Sequence, residues 1–313
     1  MSTTDKLKKV NKSWWLIVAL AVFLFLPPTD CTGVFYRMTT DPLQQEFDTL
    51  TKHLSEKSRT KRLEALEKLA KHGEAAVPLL IDVLEDDDPE SRSVAARSLE
   101  TIGAAAVEPL VALLDSDDWH VQATVIAVLS GIGKPALPAL GRILQSGDQT
   151  EQLAAARIAA NLGPDALEIV PDLVAALRSS NAEYRRLAAI AIGAVGPTAV
   201  EAVEDLIRIS ADFDPDVRLA AVAALGQLAV KPEAVLPALS TALEDRDKRV
   251  RLEAIRSIEA FGARGVAARA ALKQAASSDD VATAGAAAHA LEKLDTPQKA
   301  APEETPNSAG DKE

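Results

Sequence analysis

At 313 residues, 48% of them apolar and 26% charged, the chain has the composition of a packed protein rather than a disordered one. Its net charge of −12 argues against binding driven by nucleic-acid phosphates, so no nucleic-acid partner is expected. The single cysteine, Cys31, excludes an intramolecular disulfide in any compartment.

The chain opens with Lys6, Lys8, Lys9 and Lys12, then Trp14–Leu26, WWLIVALAVFLFL, an apolar run that Pro27-Pro28 closes. A basic head before a run of this length has the form of a secretory signal, since a full membrane span takes about twenty residues. The longer stretch Trp14–Tyr36, in which Asp30 is the one charged residue, has the form of an uncleaved anchor with Trp14 and Trp15 at the interface. The anchor is the leading reading and the cleaved signal its alternative. A lipid anchor on Cys31 is weaker, because Pro28-Thr29-Asp30 lacks the aliphatic and small residues such a site needs. In both main readings the lysines stay cytoplasmic, residues 14–28 meet the membrane and the remainder is exported. The product is a single-pass membrane protein, or a secreted or periplasmic one after cleavage.

Residues 1–33 thus form the basic head and signal segment, and residues 34–58 a connector with an N-terminal capping helix. In that helix Asp41-Pro42 opens PLQQEFDTLTKHL, with Leu43, Phe47, Leu50 and Leu54 on one face and Gln44, Gln45, Asp48 and Lys52 turned to water. An array of helices needs such a lid, since its end would otherwise expose an apolar surface.

Residues 59–295 repeat one text. In Asp88–Gly103, DPESRSVAARSLETIG, Asp88 is placed to cap a helix and Pro89 to begin it. Ala95, Ala96, Leu99 and Ile102 share an apolar face, and Gly103 stands where a helix end favours a left-handed residue. Positions equivalent to Gly103 are Gly73, Gly133, Gly163, Gly196, Ala229, Gly262 and Asp295, in steps of 30 residues up to Gly163 and 33 beyond it. The capping position recurs as Asp88, Asp118, Asp148, Asn181, Asp214, Asp247 and Asp280, each fifteen residues before its helix end. After each first helix of about fourteen residues comes a short turn and a second helix of eleven to fourteen, VPLLIDVL (77–84) and LPALSTAL (236–243) among them. The predicted architecture is all-α: an α-solenoid of about seven helix pairs with terminal capping helices, preceded by one N-terminal hydrophobic helix. The tail 296–313, with three prolines and no apolar periodicity, is expected to be disordered.

Arg92, Arg185, Arg218 and Arg251 stand four residues after their capping residue, with Gln122 and Gln152 in two other repeats. That spacing sets both on one helix edge, so the carboxylate can cap while the arginine reaches a neighbour's turn. With DPDVRLAAVAALG at 214–226 as its clearest copy, the pattern resembles HEAT repeats of the type associated with phycobilisome lyases. The resemblance implies an armadillo-like solenoid whose second helices line a concave surface and hold other proteins.

Little in the sequence carries chemistry. Some HEAT-repeat proteins are iron hydroxylases that depend on His-Glu pairs, but none of His53, His72, His120 and His289 is followed by glutamate, and none has ligand spacing. Glu85-Asp86-Asp87-Asp88 lacks the alternating ligands and glycine bend of a calcium loop and reads as a capping turn. No phosphate loop, nucleophile elbow or cysteine pair is present, so no metal, cofactor or catalytic residue is expected. Tyr184 replaces Val121, Val217 and Val250 of other repeats and is expected to be partly core. Trp119, at a first-turn position, and Phe213, in the turn before its cap, are expected to be exposed and are the candidate partner-binding residues. The function expected is a non-catalytic, exported, membrane-tethered scaffold that binds a protein or peptide on its concave face. The alternative is a chromophore-lyase-like enzyme subunit, against which the export segment argues.

Overall fold

The computed structural model describes residues 42–54 and 58–295. The predicted hydrophobic helix, the Cys31 region and the tail lie outside the described residues. The first described helix, α1 (Pro42–Leu54), carries Phe47, Leu50 and Leu54 against the array, as expected of a lid, while Asp48 and Lys52 face water. The side chains of Leu43 and Gln44 are outside the described set. The compact unit described below begins at Phe47, so the first turn of α1 falls outside it.

Seven helix pairs follow among the described residues. The first helices are α2 (Arg59–Leu69), α4 (Pro89–Ile102), α6 (Trp119–Ile132), α8 (Gln149–Leu162), α10 (Ala182–Val195), α12 (Pro215–Leu228) and α14 (Lys248–Ala260). Their partners are α3 (Val77–Val83), α5 (Ala104–Val111), α7 (Leu137–Ser146), α9 (Val170–Ala176), α11 (Val203–Ile209), α13 (Pro232–Ala242) and α15 (Arg269–Ala276). A last first-type helix, α16 (Val281–Asp295), ends the array. First helices reach the expected fourteen residues from α4 to α12, but second helices run only seven to eleven, shorter than the sequence suggested. In many pairs the approach to the second helix is a 3₁₀ segment, such as Gly163–Ile169 or Gly262–Ala268. Proline sits in the first turn of α3, α7 and α9, where its missing N–H costs nothing, but Pro109 and Pro237 lie inside α5 and α13.

Helices this short are marginal alone and draw their stability from stacking. Each pair buries leucine between its helices: Leu66 and Leu69 with Leu80 and Leu84, then Leu99 with Leu110 and Leu114. First helices of successive repeats also pack on one another, α8 on α10, α10 on α12 and α12 on α14. Small residues permit that approach. A methyl group on Gly226 would lie 2.3 Å from the Ser257 Oγ, which itself donates to the Val222 carbonyl at 2.9 Å. A methyl group on Gly193 would lie 3.1 Å from the Ala224 Cα. This contact is the physical reason for the alanine-rich, aromatic-poor composition.

The helix-ending glycines correct the sequence reading in one respect. Gly73, Gly103, Gly133, Gly163, Gly196 and Gly262 all have positive φ, as expected. In the first five ψ lies between −125° and −155°, far from the left-handed helical value near +47°. Here the glycine N–H closes the helix it follows while its carbonyl starts the next turn: Gly103 N donates to Leu99 O at 3.0 Å and Gly103 O accepts from Ala106 N at 2.9 Å. That region of positive φ is open essentially to glycine alone. Where the repeat lacks glycine, Ala229 takes a true left-handed conformation (φ 46°, ψ 35°), Lys231 repeats it, and Pro232 starts the next helix.

The change in repeat length is localised as well. From helix end to next cap there are fifteen residues at Gly103 and eighteen at Gly163, and the three added residues lie in the turn between the two helices of a pair. Leu167, Val200 and Val266, in those longer turns, are exposed.

Nothing lies within 4 Å of where a Cβ on Gly196 would be, so Gly196→Val tests backbone conformation alone. A loss of about 1–3 kcal/mol in urea unfolding is expected; an unchanged midpoint would mean that the turn does not require positive φ.

Candidate functional site

The candidate surface is built on the turns between repeats. Six capping residues act as expected, their side chains accepting from backbone N–H groups of the first turn: Asp88 from Ser91, Asp118 from His120, Asp148 from Glu151, Asn181 from Tyr184, Asp214 from Asp216 and Val217, and Asp247 from Arg249. Asp148 adds a full capping box, Glu151 reaching back to its N–H at 2.9 Å. Asp280 differs from the expected cap. Its carboxylate accepts from the Thr283 hydroxyl at 2.5 Å and from Arg251 at 2.9 Å, because a side-chain hydroxyl and a guanidinium both point at it.

Three of the four arginines beyond the caps, Arg185, Arg218 and Arg251, do more than reach one turn. Arg185 Nη1 donates to Ser179 O (2.8 Å) and Ser180 O (3.1 Å) in the turn before its own helix. Its Nε and Nη2 grip both oxygens of Asp212, in the next turn, at 2.8 Å. Arg218 repeats the pattern, with Asp212 O and Phe213 O behind and a bidentate pair to Asp245 ahead at 2.7 and 2.8 Å. Arg251 holds Asp245 O behind, and Asp280 with Thr283 ahead. Asp212 and Asp245 have a second duty: each accepts the N–H of the following cap, Asp214 at 3.0 Å and Asp247 at 2.8 Å. The sequence reading missed these two aspartates. The signal was present two residues before each cap, where Asp86, Ser116, Ser146, Ser179, Asp212, Asp245 and Ser278 recur.

Phe213 and Trp119 stand on this turn edge. Phe213 is 95% exposed, yet its carbonyl is fixed by Arg218 (3.2 Å) and by Arg246 (3.1 Å). Trp119 is 68% exposed and lies on the His120 ring, centroids 3.5 Å apart. Both are presented rather than packed, as their positions predicted. The structure does not bring them together: they occupy turns three repeats apart. Val281, at the position equivalent to Trp119, is exposed too and was not singled out from the sequence. Tyr184 is buried, and its hydroxyl donates to Leu144 O at 2.7 Å.

The second helices present a polar, mixed-charge surface. Arg142 pairs with Glu108 (2.6 Å), Gln145 with Asp172 (2.7 Å), and Arg178 with Asp205 (3.2 Å), each bond crossing between neighbouring repeats. Two open clefts lie there. One of about 490 Å³ is lined by Arg178, Glu204, Asp205 and Arg208; the other, about 310 Å³, includes Pro138, Gly141, Arg142, Gln145, Glu168 and Asp172. His72, in the 3₁₀ segment Ala70–Ala76 that follows α2, packs edge-on to Phe47 with ring centroids 5.0 Å apart. In the 85–88 turn, Asp86 accepts the N–H of Asp88 at 2.9 Å and Asp88 caps α4. Among the described residues no group of three or more His, Cys, Asp or Glu side chains is placed to hold a metal ion.

Burial would raise Asp212 and Asp245, but the hydrogen bonds from Arg185 and Arg218 and from the cap N–H groups outweigh it and hold both below the usual carboxylate range. Asp205 is held down in the same way by Arg178 and Arg208. The Tyr184 hydroxyl is pushed up to about 12 by burial and by the Asp172 charge.

A model of HEAT repeats matches the chain at residues 47–129, 77–161, 170–259 and 236–302, most of its length. No curated protein matches it in sequence. Among solved structures, an engineered protein is similar at 24% identity over 80% of this chain and 78% of its own, with a TM-score of 0.48. The Escherichia coli protein YIBA is similar at 19% identity over 85% of this chain and 100% of its own, with a TM-score of 0.43. A chain of the Kap95:Nup1 complex is similar at 16% identity over 79% of this chain and 40% of its own, with a TM-score of 0.54. The last likeness shows the fold, and this chain spans two fifths of that larger one.

Because Asp212 and Asp245 have depressed folded-state values, their contribution is complete above the ordinary aspartate value of 3.8 and is lost as pH falls through the lower folded ones. Asp245→Asn leaves the buried Arg218 guanidinium with neutral partners only, the new amide and the Asp212 and Phe213 carbonyls, and is expected to cost about 3 kcal/mol near neutral pH. The variant should also lose less stability than the parent between about pH 4 and pH 2. Urea midpoints across that range check both; parallel pH curves would show that the pair carries no acid sensitivity.

Proposed function

The chain belongs to the HEAT-repeat family, and from that premise we propose that it is a non-catalytic scaffold that binds a protein or peptide partner. The observation that carries the reading is Phe213, an aromatic side chain held out in solvent by a backbone that two arginines immobilise. Exposing a large apolar group on a mobile turn is unremarkable, but fixing it there reduces the entropy lost when a partner covers it. Trp119 supplies a second such anchor. The second helices form the concave face in this reading, with the clefts at Arg142–Asp172 and Arg178–Arg208 as its polar contacts. That a chain of similar fold is found in a complex of two proteins, Kap95:Nup1, supports it.

In the same reading the scaffold is exported and tethered, residues 14–28 meeting the membrane and the N-terminal lysines remaining cytoplasmic. Support comes from the basic head and the apolar run of the sequence. Among the described residues no single helix is long and apolar enough to cross a membrane, so the proposed tether is that N-terminal run.

Affinity capture after crosslinking in native cells, with the full-length protein and its Trp119→Ala and Phe213→Ala variants, tests the scaffold. A partner retained by the parent should be bound at least about thirtyfold more weakly by one or both variants, with unfolding midpoints unchanged. Capture of a pigment protein with a coloured eluate would instead favour the lyase alternative. Deletion of residues 1–33 tests the tether: the protein should move from the membrane to the soluble fraction and keep its helical circular dichroism. Persistent membrane association would show that the attachment lies elsewhere.

A further inference from the structure

The ties between turns run through only part of the array. Beginning at Leu144 they are continuous: Tyr184 Oη holds Leu144 O, Arg185 links the turn at Ser179 to Asp212, Arg218 links Asp212 O to Asp245, and Arg251 links Asp245 O to Asp280. Each arginine has one hand on the turn before its helix and the other on the turn of the next repeat. Both ends are largely buried, side-chain exposure being 6% for Arg218 and 11% for Asp245.

In the first repeat Arg62, four residues after Ser58, lies 3.7 Å from the Asp88 carboxylate in the next turn. Between Asp88 and Leu144 the second hand is empty. Arg92 Nη1 holds Asp86 O at 2.6 Å, the same backward grip. The residue two before the following cap is Ser116, whose short side chain accepts from the Asp118 N–H at 3.2 Å and cannot meet a guanidinium with two oxygens. In the next repeat Gln122 replaces arginine and bonds only Leu114 O, in the turn before its own helix. The Arg142–Glu108 pair that does cross between these repeats is more than half exposed at both ends, where such pairs contribute little. The three 30-residue steps fall in this region too, so the longer turn and the continuous ties mark the same part of the chain.

We infer that the array contains two mechanical segments, with residues 149–295 opening as one cooperative block and the repeats within 89–146 opening independently and more readily. In a stacked array each repeat contacts only its neighbours, so cooperativity is set junction by junction and is lowest where a junction lacks its tie. The compliant segment carries Trp119 and the block carries Phe213, so in the scaffold proposed above one anchor sits on a yielding support and the other on a stiff one.

Hydrogen exchange of the full chain in rising urea, read by mass spectrometry, tests this without reference to any partner. Peptides within 89–132 should lose protection at lower urea than peptides within 182–260. Ser116→Asp, which gives Arg92 the carboxylate that Arg185 finds in Asp212, should raise protection across 89–132 about fivefold and leave 182–260 unchanged. Asp245→Ser should lower protection across 182–260 by about a hundredfold. A single urea midpoint for all peptides in the parent protein, or a Ser116→Asp variant with unchanged exchange in 89–132, would overturn the inference.

Discussion

The bidentate grip of an arginine on the aspartate of the next turn is the contact on which the order of the later repeats, from Ser179 to Asp247, depends. Apolar stacking alone is non-directional and would tolerate sliding of one repeat over another. A planar guanidinium meeting both oxygens of Asp212 or Asp245 admits one register, and the same carboxylate fixes the start of the following helix through the cap N–H. Buried in this way, the pair adds little to net stability by replacement arguments, but losing one partner is severe. Its value lies in specifying geometry: the turns at Ser179, Asp212 and Asp245 are joined in one row.

The proposed function rests on those joined turns. The edge displays Phe213 on carbonyl bonds from two arginines, and the opposite, longer turns display Leu167, Val200 and Val266. Neither pattern serves the core, which is closed by leucines within pairs and by the Gly193–Ala224 and Gly226–Ser257 approaches between first helices. The surface carries exposed apolar side chains beside mixed charge.

Much of this was legible in the amino-acid order because it depends on local rules. A cap and the glycine fifteen residues beyond it bracket a helix whatever surrounds it, and the exposure of Trp119 and Phe213 followed from their places beside the cap. The recurrence of Asp or Ser two residues before each cap was equally visible, but its meaning was not. Ser179 and Asp212 occupy the same slot, and only the arrival of Arg185 from the preceding repeat separates a turn former from an ion-pair partner. The second helices were read as too long because apolar spacing continues through a 3₁₀ approach that periodicity cannot tell from an α-turn. For Asp280 the local rule predicted a backbone cap, and the Thr283 hydroxyl and the Arg251 guanidinium took the carboxylate instead.

By itself the sequence determined the helical repeat, its punctuation, the lid at Phe47, Leu50 and Leu54, and the two exposed aromatics, since each follows from residues within one or two helical turns of one another. Tertiary structure alone decided which carboxylates pair with which arginines, the backbone region of the helix-ending glycines, the place of the three added residues, and where the ties begin. The ties among them join residues some 27 to 40 positions apart, as in Arg185 with Asp212 and Tyr184 with Leu144. At such separations the partner is chosen by how one repeat seats on the next, and a repeating sequence offers several equivalent partners until stacking selects one.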